Sequence, residues 1–308
     1  MINLSVVVPC YYSEATIERL CDSVVASLQK QVGTMEVVLV NDGSTDKTGE
    51  ACRSAVSRYP GIVKYVELAR NFSEHNAVMA GLSVAKGNFA VIIDDDFQNP
   101  PEEILVLYNR CVSTGADVVY SRYEKKYHHW MRNLGSVFND KVANVMLRKP
   151  PGLYLSSFKL LRRRLIDQIL DYRGPIPYID GLILRATSHI EVALVSHSSR
   201  AEGKSNYSAR KLMALWSNMF INFSILPLRL ALYLGFVFSF VGLVGAVLFI
   251  WERLSHPDLP VGWASVMVAL LIFSGVQLLV LGLIGEFLGR LYLNQTGQPQ
   301  FVIRETVV

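Results

Sequence analysis

Apolar positions follow two rhythms through the first 120 residues. Short apolar runs, rich in β-branched residues, at Ser5–Val8, Val37–Val40, Val63–Leu68, Phe89–Ile93 and Val118–Tyr120 read as buried strands. Between them, apolar residues recur every three or four positions, as in Ile17, Leu20, Cys21, Val24 and Leu28, which predicts helices at about 17–28, 45–59, 74–86 and 102–114. Gly87 and Gly115 are the expected C-terminal caps of the last two helices. Ser44 or Thr45 is expected to cap the second, and Asn99, ahead of two prolines, the fourth. This alternation implies an α/β fold: a mostly parallel sheet with helices on both faces. Ligands of such sheets bind beyond the carboxyl ends of the strands.

After about residue 210 the pattern changes. Leu230–Trp251 and Leu259–Gly285 contain no charged residue, and each exceeds the ~20 residues that a membrane-crossing helix needs. The link between them is short, so the two segments form a hairpin whose ends lie on one side of a bilayer. Arg200, Lys204, Arg210, Lys211, Arg229, Arg290 and Arg304 flank the hairpin on that side, and the positive-inside rule places it in the cytoplasm. Two further stretches, 130–146 and 207–226, carry an apolar stripe at helical spacing; the second, next to the hairpin, suits the membrane interface.

Composition adds little that points elsewhere. The chain is 51% hydrophobic with a formal charge of +4, which suits an anionic bilayer surface and gives no sign of nucleic-acid binding. Cys10, Cys21, Cys52 and Cys111 are widely spaced and form no C-x-x-C pair, as expected of reduced thiols in a cytosolic domain. The start, MINLSVVVPCYY, lacks a basic leader region, so no signal peptide is expected.

The polar residues collect at the strand ends. Asp42 and Gly43 close the second strand in NDGSTD, where a carboxylate can accept hydrogen bonds from a base or a ribose. Asp94, Asp95 and Asp96 follow the fourth. Strand alternation would turn Asp94 and Asp96 to one side and Asp95 to the other, with Gln98 rejoining the first side if the chain stays extended. Two carboxylates together suit a hard divalent cation, Mg²⁺ or Mn²⁺, whose shell is completed by water and phosphate oxygens. Arg200, Lys204 and Ser205, around Gly203, are candidates for phosphate binding or for a solvated basic loop. Arg162–Arg164 reads as a solvated or lipid-facing helix end.

VVVPCYYSE, NDGSTD, ARNFSEHNAVMAGL, DDDFQNPPEE, SSFKLLRR, RAEGKSNYS, LPLR and GLIGEFLGRLY, in this order and ahead of a hairpin, resemble family 2 glycosyltransferases of the polyprenyl-phosphate branch. The resemblance implies a GT-A-type domain that binds a nucleotide sugar, UDP-linked by preference, and transfers the sugar with inversion to a polyprenyl phosphate. It implies donor contacts at Pro9, Tyr11, Glu14, Asp42, Arg70, Asn71, Asp95, Gln98, Ser205 and Tyr207. Asp94 and Asp96 would hold the metal, and with Arg200 and Lys204 would serve the reaction. The expected organisation is a cytoplasmic catalytic domain at 1–205, a juxtamembrane amphipathic helix at 206–227, a transmembrane hairpin at 228–288 (spans about 228–251 and 262–286), and a cytoplasmic tail at 289–308. The protein is thus expected to be multi-pass in the inner membrane; a homo-oligomer is left open.

Three positions depart from the family pattern. Tyr12-Ser13 interrupts P-x-Y-N-E, Asn41 replaces an Asp, and Ser157 stands where a catalytic base is sometimes assigned. A phosphate monoester, with a second pKa of about 6, is already largely a dianion at neutral pH and needs no base to attack. A catalytically silent, membrane-anchored binder of nucleotide sugars is the alternative these departures leave standing. A processive synthase is disfavoured because no Q-x-x-R-W occurs, and a nucleotidyltransferase because PCYYSE replaces a glycine-rich phosphate loop.

Overall fold

The computed structural model describes residues 3–123, 150, 152–196, 226–255 and 262–308. The chain divides into two units, residues 1–206 with 297–308, and residues 207–296.

The first unit is built on one eight-stranded sheet. Its strands are β1 (Leu4–Cys10), β2 (Met35–Asn41), β3 (Val63–Leu68), β4 (Phe89–Ile92), β5 (Val118–Tyr123), β6 (Lys159–Arg162), β7 (Ile190–Val195) and β8 (Ile303–Val307). Their order is β7-β5-β6-β4-β1-β2-β3-β8. The neighbours from β4 to β3 run parallel, β6 is antiparallel to both β4 and β5, and β8 lies antiparallel along β3. β1 and β2 are nearly continuous apolar runs because both of their faces are covered.

One face carries α1 (Ile17–Leu28), α2 (Thr48–Arg58) and α4 (Ile104–Thr114), whose Ile17, Leu20, Cys52 and Leu107 pack with Val6, Val8 and Leu39. The other face carries α3 (Glu74–Val84) and α5 (Arg163–Leu170); α6 (Ile179–Ala186) packs on α5. α3 lies close because of Gly81: a Cβ there would come 2.4 Å from Val7 Cγ1. With α1 and α2 on one face and α3 on the other, the order of strand addition switches at β1: β2 and β3 lie to one side of it and β4 to the other. The crevice between β1 and β4 is where an open α/β sheet binds its ligand.

All five predicted strands and four predicted helices are present. The capping residues differ. Gly115 ends α4 in the left-handed region, with its N–H on Cys111 O at 3.0 Å. Gly87 caps nothing: α3 ends earlier, at an extended Ala85, and Gly87 N–H bonds Ser5 Oγ at 2.8 Å. Asn99 instead accepts the Tyr123 hydroxyl at 2.9 Å, and a short 3₁₀ turn at 101–103 precedes α4. Ser44 and Thr45 reach Tyr12, while Glu14 Oε2 receives the Lys47 N–H (3.0 Å) at the start of α2. Arg162 and Arg163 are internal struts rather than a solvated end. They donate to the carbonyls of Ala116 and Cys111, and of Gly87 and Ala85, respectively; only Arg164 is exposed. All four cysteines are buried free thiols.

β6, β7 and β8 were not anticipated. β8 completes the sheet beyond β3, where Arg53 bridges Glu67 (2.9 Å) and Glu305 (2.5 Å).

The second unit contains α7 (Leu226–Ser255) and α8 (Trp263–Gln295), in contact through the rings of Phe238 and Phe273. At 1.5 Å per residue, their 30 and 33 residues extend about 45 and 50 Å. Phe236, Phe240 and Leu279 are among many large apolar side chains left open, and Ile272–Gln295 is long and apolar enough to cross a membrane. Apolar on all sides, such helices require an apolar surrounding. The stretch 130–146 and most of 207–226 lie outside the described residues.

Candidate active site

The loops at the carboxyl ends of β1, β2, β3 and β4 meet through the side chains of distant residues. After β1, the Tyr12 N–H bonds Ser44 Oγ (3.1 Å) and its hydroxyl pairs with Thr45 Oγ1 (3.0 Å). The rings of Tyr11 and Tyr12 meet edge to face at 4.5 Å, and both are about half exposed. Next, the Ser13 N–H bonds Thr48 Oγ1 at 2.8 Å, and the Ser13 hydroxyl donates to Asp95 Oδ2. That last bond spans the β1–β4 crevice.

Asp42 follows β2 and is buried. Its Oδ1 accepts the Phe72 N–H at 2.7 Å, tying the β2 and β3 loops together. Burial raises its proton affinity, partly offset by the backbone N–H groups of Phe72 and Ser73. Gly43 makes this closeness possible: at φ +67°, its missing Cβ would lie 2.5 Å from the Arg70 carbonyl carbon. The departure at Asn41 has a local reason. Its Oδ1 accepts the Ser44 N–H (3.0 Å) while its Nδ2 donates to the Tyr65 hydroxyl (3.2 Å); a carboxylate there would need that hydroxyl to become the donor and would bury a charge. Arg70 is exposed and stacks over Phe72 at 4.8 Å; Asn71 Oδ1 accepts the Ser73 N–H. Pro9, the penultimate residue of β1, is half-buried.

The three acids lie just past β4. Strand alternation does not separate them, because β4 ends at Ile92 and the chain turns at Asp95–Asp96. Their partners do: Asp94 Oδ2 accepts the Ser157 hydroxyl at 2.7 Å, Asp95 takes Ser13, and Asp96 Oδ1 accepts the Gln98 N–H at 3.1 Å. Gln98 therefore belongs to a turn and does not extend the strand. Burial, with the charges of Asp94 and Asp96, pushes Asp95 up to about 6 despite the Ser13 bond. Hard oxygen donors that repel one another match the chemistry of Mg²⁺ or Mn²⁺. Among the described residues, no cluster of three or more His, Cys, Asp or Glu forms a ready metal cage; two carboxylates with water and phosphate would be the donor set. Tyr12, Ser73 and Phe97 are the described non-glycine residues with positive φ, and all three border this crevice. Such strain concentrates where a ligand is clamped.

On the β6 side, Lys159 and the Tyr120 hydroxyl (2.9 Å) both engage buried Asp180, and His75 meets Tyr178 edge to face at 5.3 Å. Burial holds His75 down to about 4. Glu74 opens α3 in contact with solvent yet walled by protein. That setting, then the charge of Asp94, raises it to about 7. Glu74, Ser13 and the Ser157–Asp94 contact were not foreseen. The available signal for Glu74 was its place on the stripe Glu74-Ala77-Val78-Gly81, the sheet-facing side of α3. Of the anticipated site, Pro9 lies near the end of β1, Tyr11, Asp42, Arg70, Asn71, Asp94, Asp95, Asp96 and Gln98 lie in the strand-end loops, and Glu14 bonds the start of α2. Arg200, Lys204, Ser205 and Tyr207 lie outside the described residues. A separate depression of about 560 Å³, lined by Asp117, Arg162, Arg164 and His189 among others, sits at the opposite end of the sheet and takes no part in this site.

Residues 5–170 match the model of the glycosyl transferase family 2 domain. The chain belongs to that family. It is therefore a glycosyltransferase, with a GT-A-type sheet. Residues 226–291 match a second model, the GtrB C-terminal hairpin, which covers α7 and most of α8. Among curated relatives, undecaprenyl-phosphate 4-deoxy-4-formamido-L-arabinose transferase of Aeromonas hydrophila is 33% identical, over 99% of this chain and 94% of its own length. Its counterparts in Pseudomonas aeruginosa (strain LESB58) and Proteus mirabilis are each 32% identical over 99% of this chain, covering 90% and 94% of their own lengths. Among solved structures, glucosyl-3-phosphoglycerate synthase of Mycobacterium tuberculosis with Mn²⁺, UDP and phosphoglyceric acid is 19% identical and superposes with a TM-score of 0.55, covering 71% of this chain and 76% of that one. The same enzyme with Mg²⁺ and UDP gives 0.53 at 19% identity, covering 71% and 77%. At that identity, the likeness concerns the fold.

Proposed function

We propose that this glycosyltransferase moves a sugar from a UDP-sugar to a polyprenyl phosphate such as undecaprenyl phosphate, inverting the anomeric carbon, at the cytoplasmic face of the bacterial inner membrane. The observation that carries the reading is one chain holding both a strand-end carboxylate site and an apolar helical hairpin, matched along 99% of its length by undecaprenyl-phosphate sugar transferases. A lipid acceptor explains why a transferase domain is joined to such a hairpin. The product would be a lipid-phosphate-linked sugar for cell-envelope glycans.

Asp42, Tyr11 and the loop after β3 hold the nucleoside on the β1–β2 side. Asp94 and Asp96 would hold Mg²⁺ or Mn²⁺, which when bound neutralises the donor's diphosphate and eases its departure. Ser13 positions Asp95, and Ser157 positions Asp94. With its hydroxyl given to Asp94, Ser157 is no general base, and none is needed: the acceptor's phosphate oxygen is already ionised and attacks as it stands. Arg200 and Lys204 would supply positive charge for the phosphates, with Ser205 and Tyr207 next to them in the sequence.

The test is transfer of radiolabelled sugar from UDP-sugars to undecaprenyl phosphate by the purified full chain. Asp96→Asn should lower turnover by about 100-fold or more with donor and metal saturating, the scale of losing one charge-stabilising group. Full turnover in that variant would remove the metal assignment. Donor binding by calorimetry without any turnover would favour the silent binder.

A further inference from the structure

We infer that Phe97 is the positioning residue of the metal-binding turn: its ring, packed on the core and covered by Arg19, fixes the backbone shape that orients the Asp96 carboxylate. The inference rests on the metal reading above and goes beyond it, because it names what holds the ligands in place.

The first support is the backbone. Phe97 has φ +57°, in the left-handed region. An L side chain there costs roughly 1–2 kcal/mol, and phenylalanine has no polar group with which to bond its own backbone, as asparagine and aspartate do. Glycine would take the same φ freely. The strained residue is enclosed by a hydrogen bond. Asp96 Oδ1 accepts the Gln98 N–H at 3.1 Å, and Phe97 is the residue between them. A change in its dihedral angles would carry that N–H away from Asp96 and leave the carboxylate free to turn.

The second support is where the ring goes. Phe97 packs against the apolar cluster that α1, α2 and α4 form with the sheet. The guanidinium of Arg19, on α1, lies 5.2 Å from the centre of the ring, within cation–π range. A half-buried phenylalanine recovers about 1 kcal/mol, and a cation–π contact at an exposed site about 0.5–1 kcal/mol. Together these match the strain they accompany.

The third support is the rest of the turn. Asp94 is tied to Ser157 at 2.7 Å, and Asn99 to the Tyr123 hydroxyl at 2.9 Å. Those bonds fix the two ends. Between residues 94 and 99, Phe97 is the one apolar side chain, so it is the one that can tie the middle of the turn to the core. A phenylalanine that only filled space would leave the neighbouring acids indifferent to its loss.

The experiment is calorimetry of UDP on the full chain in detergent, with saturating Mn²⁺ and separately with EDTA, for wild type, Phe97→Leu, Phe97→Ala and Phe97→Gly. Mn²⁺ should tighten UDP at least about tenfold in wild type, a factor worth about 1.4 kcal/mol. Phe97→Leu, which still reaches the core, should keep that factor within about twofold. Phe97→Ala and Phe97→Gly should cut it to about threefold or less, with UDP affinity in EDTA within about twofold of wild type. Phe97→Gly separates ring from backbone, because glycine adopts the native φ without the ring. Full Mn²⁺ tightening in Phe97→Ala or Phe97→Gly would overturn the assignment, and so would an equal loss of UDP affinity in EDTA. Wild type whose UDP affinity ignores Mn²⁺ would instead overturn the metal reading beneath it.

Discussion

Two carboxylates at opposite ends of the same sheet, one buried and one half-buried, have opposite fates. Glu36, at the amino end of β2, is fully buried. Burial alone would raise its pKa, but Lys64 (2.6 Å), the Ser5 hydroxyl (2.6 Å) and the Lys86 N–H (2.5 Å) outweigh it, and the carboxyl titrates below its ordinary range. Asp95, beyond the carboxyl end of β4, has Ser13 on one side and two more acids beside it, and is pushed up to about 6. One end of the sheet is electrostatically complete without help. At the other, the proposed cation would relieve three adjacent acids. A fold that can satisfy Glu36 has the means to satisfy Asp95, so the unrelieved repulsion marks the end where function is carried.

The sharpest way to break this contrast is Glu36→Ala. It strands the Lys64 ammonium, which is almost buried, and should lower unfolding free energy by about 3–5 kcal/mol in chemical denaturation of the full chain in mild detergent. A loss below about 1 kcal/mol would mean that the amino end is no better matched than the other.

A smaller effect is expected from pH in metal-free protein. The folded-state pKa of Asp95, about 6, lies above its ordinary 3.8. Its contribution to stability is therefore fully present below pH 3.8 and is lost as pH rises through 6, by at most about 3 kcal/mol. Asp95→Asn should gain on wild type in parallel denaturation series across that window, and excess Mn²⁺ should reduce the gain. A difference that stays flat with pH would contradict the picture of unrelieved charge.

The smallest is Asn41→Asp, which removes the donor to Tyr65. It should destabilise by about 1 kcal/mol with UDP affinity within twofold of wild type. A large loss of UDP binding would show that the Asn41 amide serves the ligand as well as the loop.

Much of the fold was legible because the inner strands are covered on both faces. Val6–Val8 and Val37–Val40 are apolar without interruption, and the helices between them carry a clear stripe. β6 (KLLR) and β8 (IRETV) carry no such signal. They are short, charged strands formed by pairing with partners far away in the chain, β8 with β3 across more than two hundred residues. The site divides the same way. Three consecutive acids at a strand end announce themselves, but their partners do not: Ser13 lies 82 residues from Asp95 and Ser157 lies 63 from Asp94. The caps failed for a similar reason. Ser44, Thr45 and Asn99 have the right chemistry for helix starts, yet tertiary partners, Tyr12 and Tyr123, claimed them.

β8 also sets an order of events in synthesis. It follows the hairpin in the chain, so the ribosome has made both long apolar helices before the strand that closes the sheet exists. Until then β3 presents an unpaired edge, the kind of surface that recruits stray strands. Completion of the catalytic sheet is thereby timed to come after the translation of the apolar hairpin. A nascent chain arrested after α6 but short of residue 303 would carry every acid of the crevice and still have an open flank.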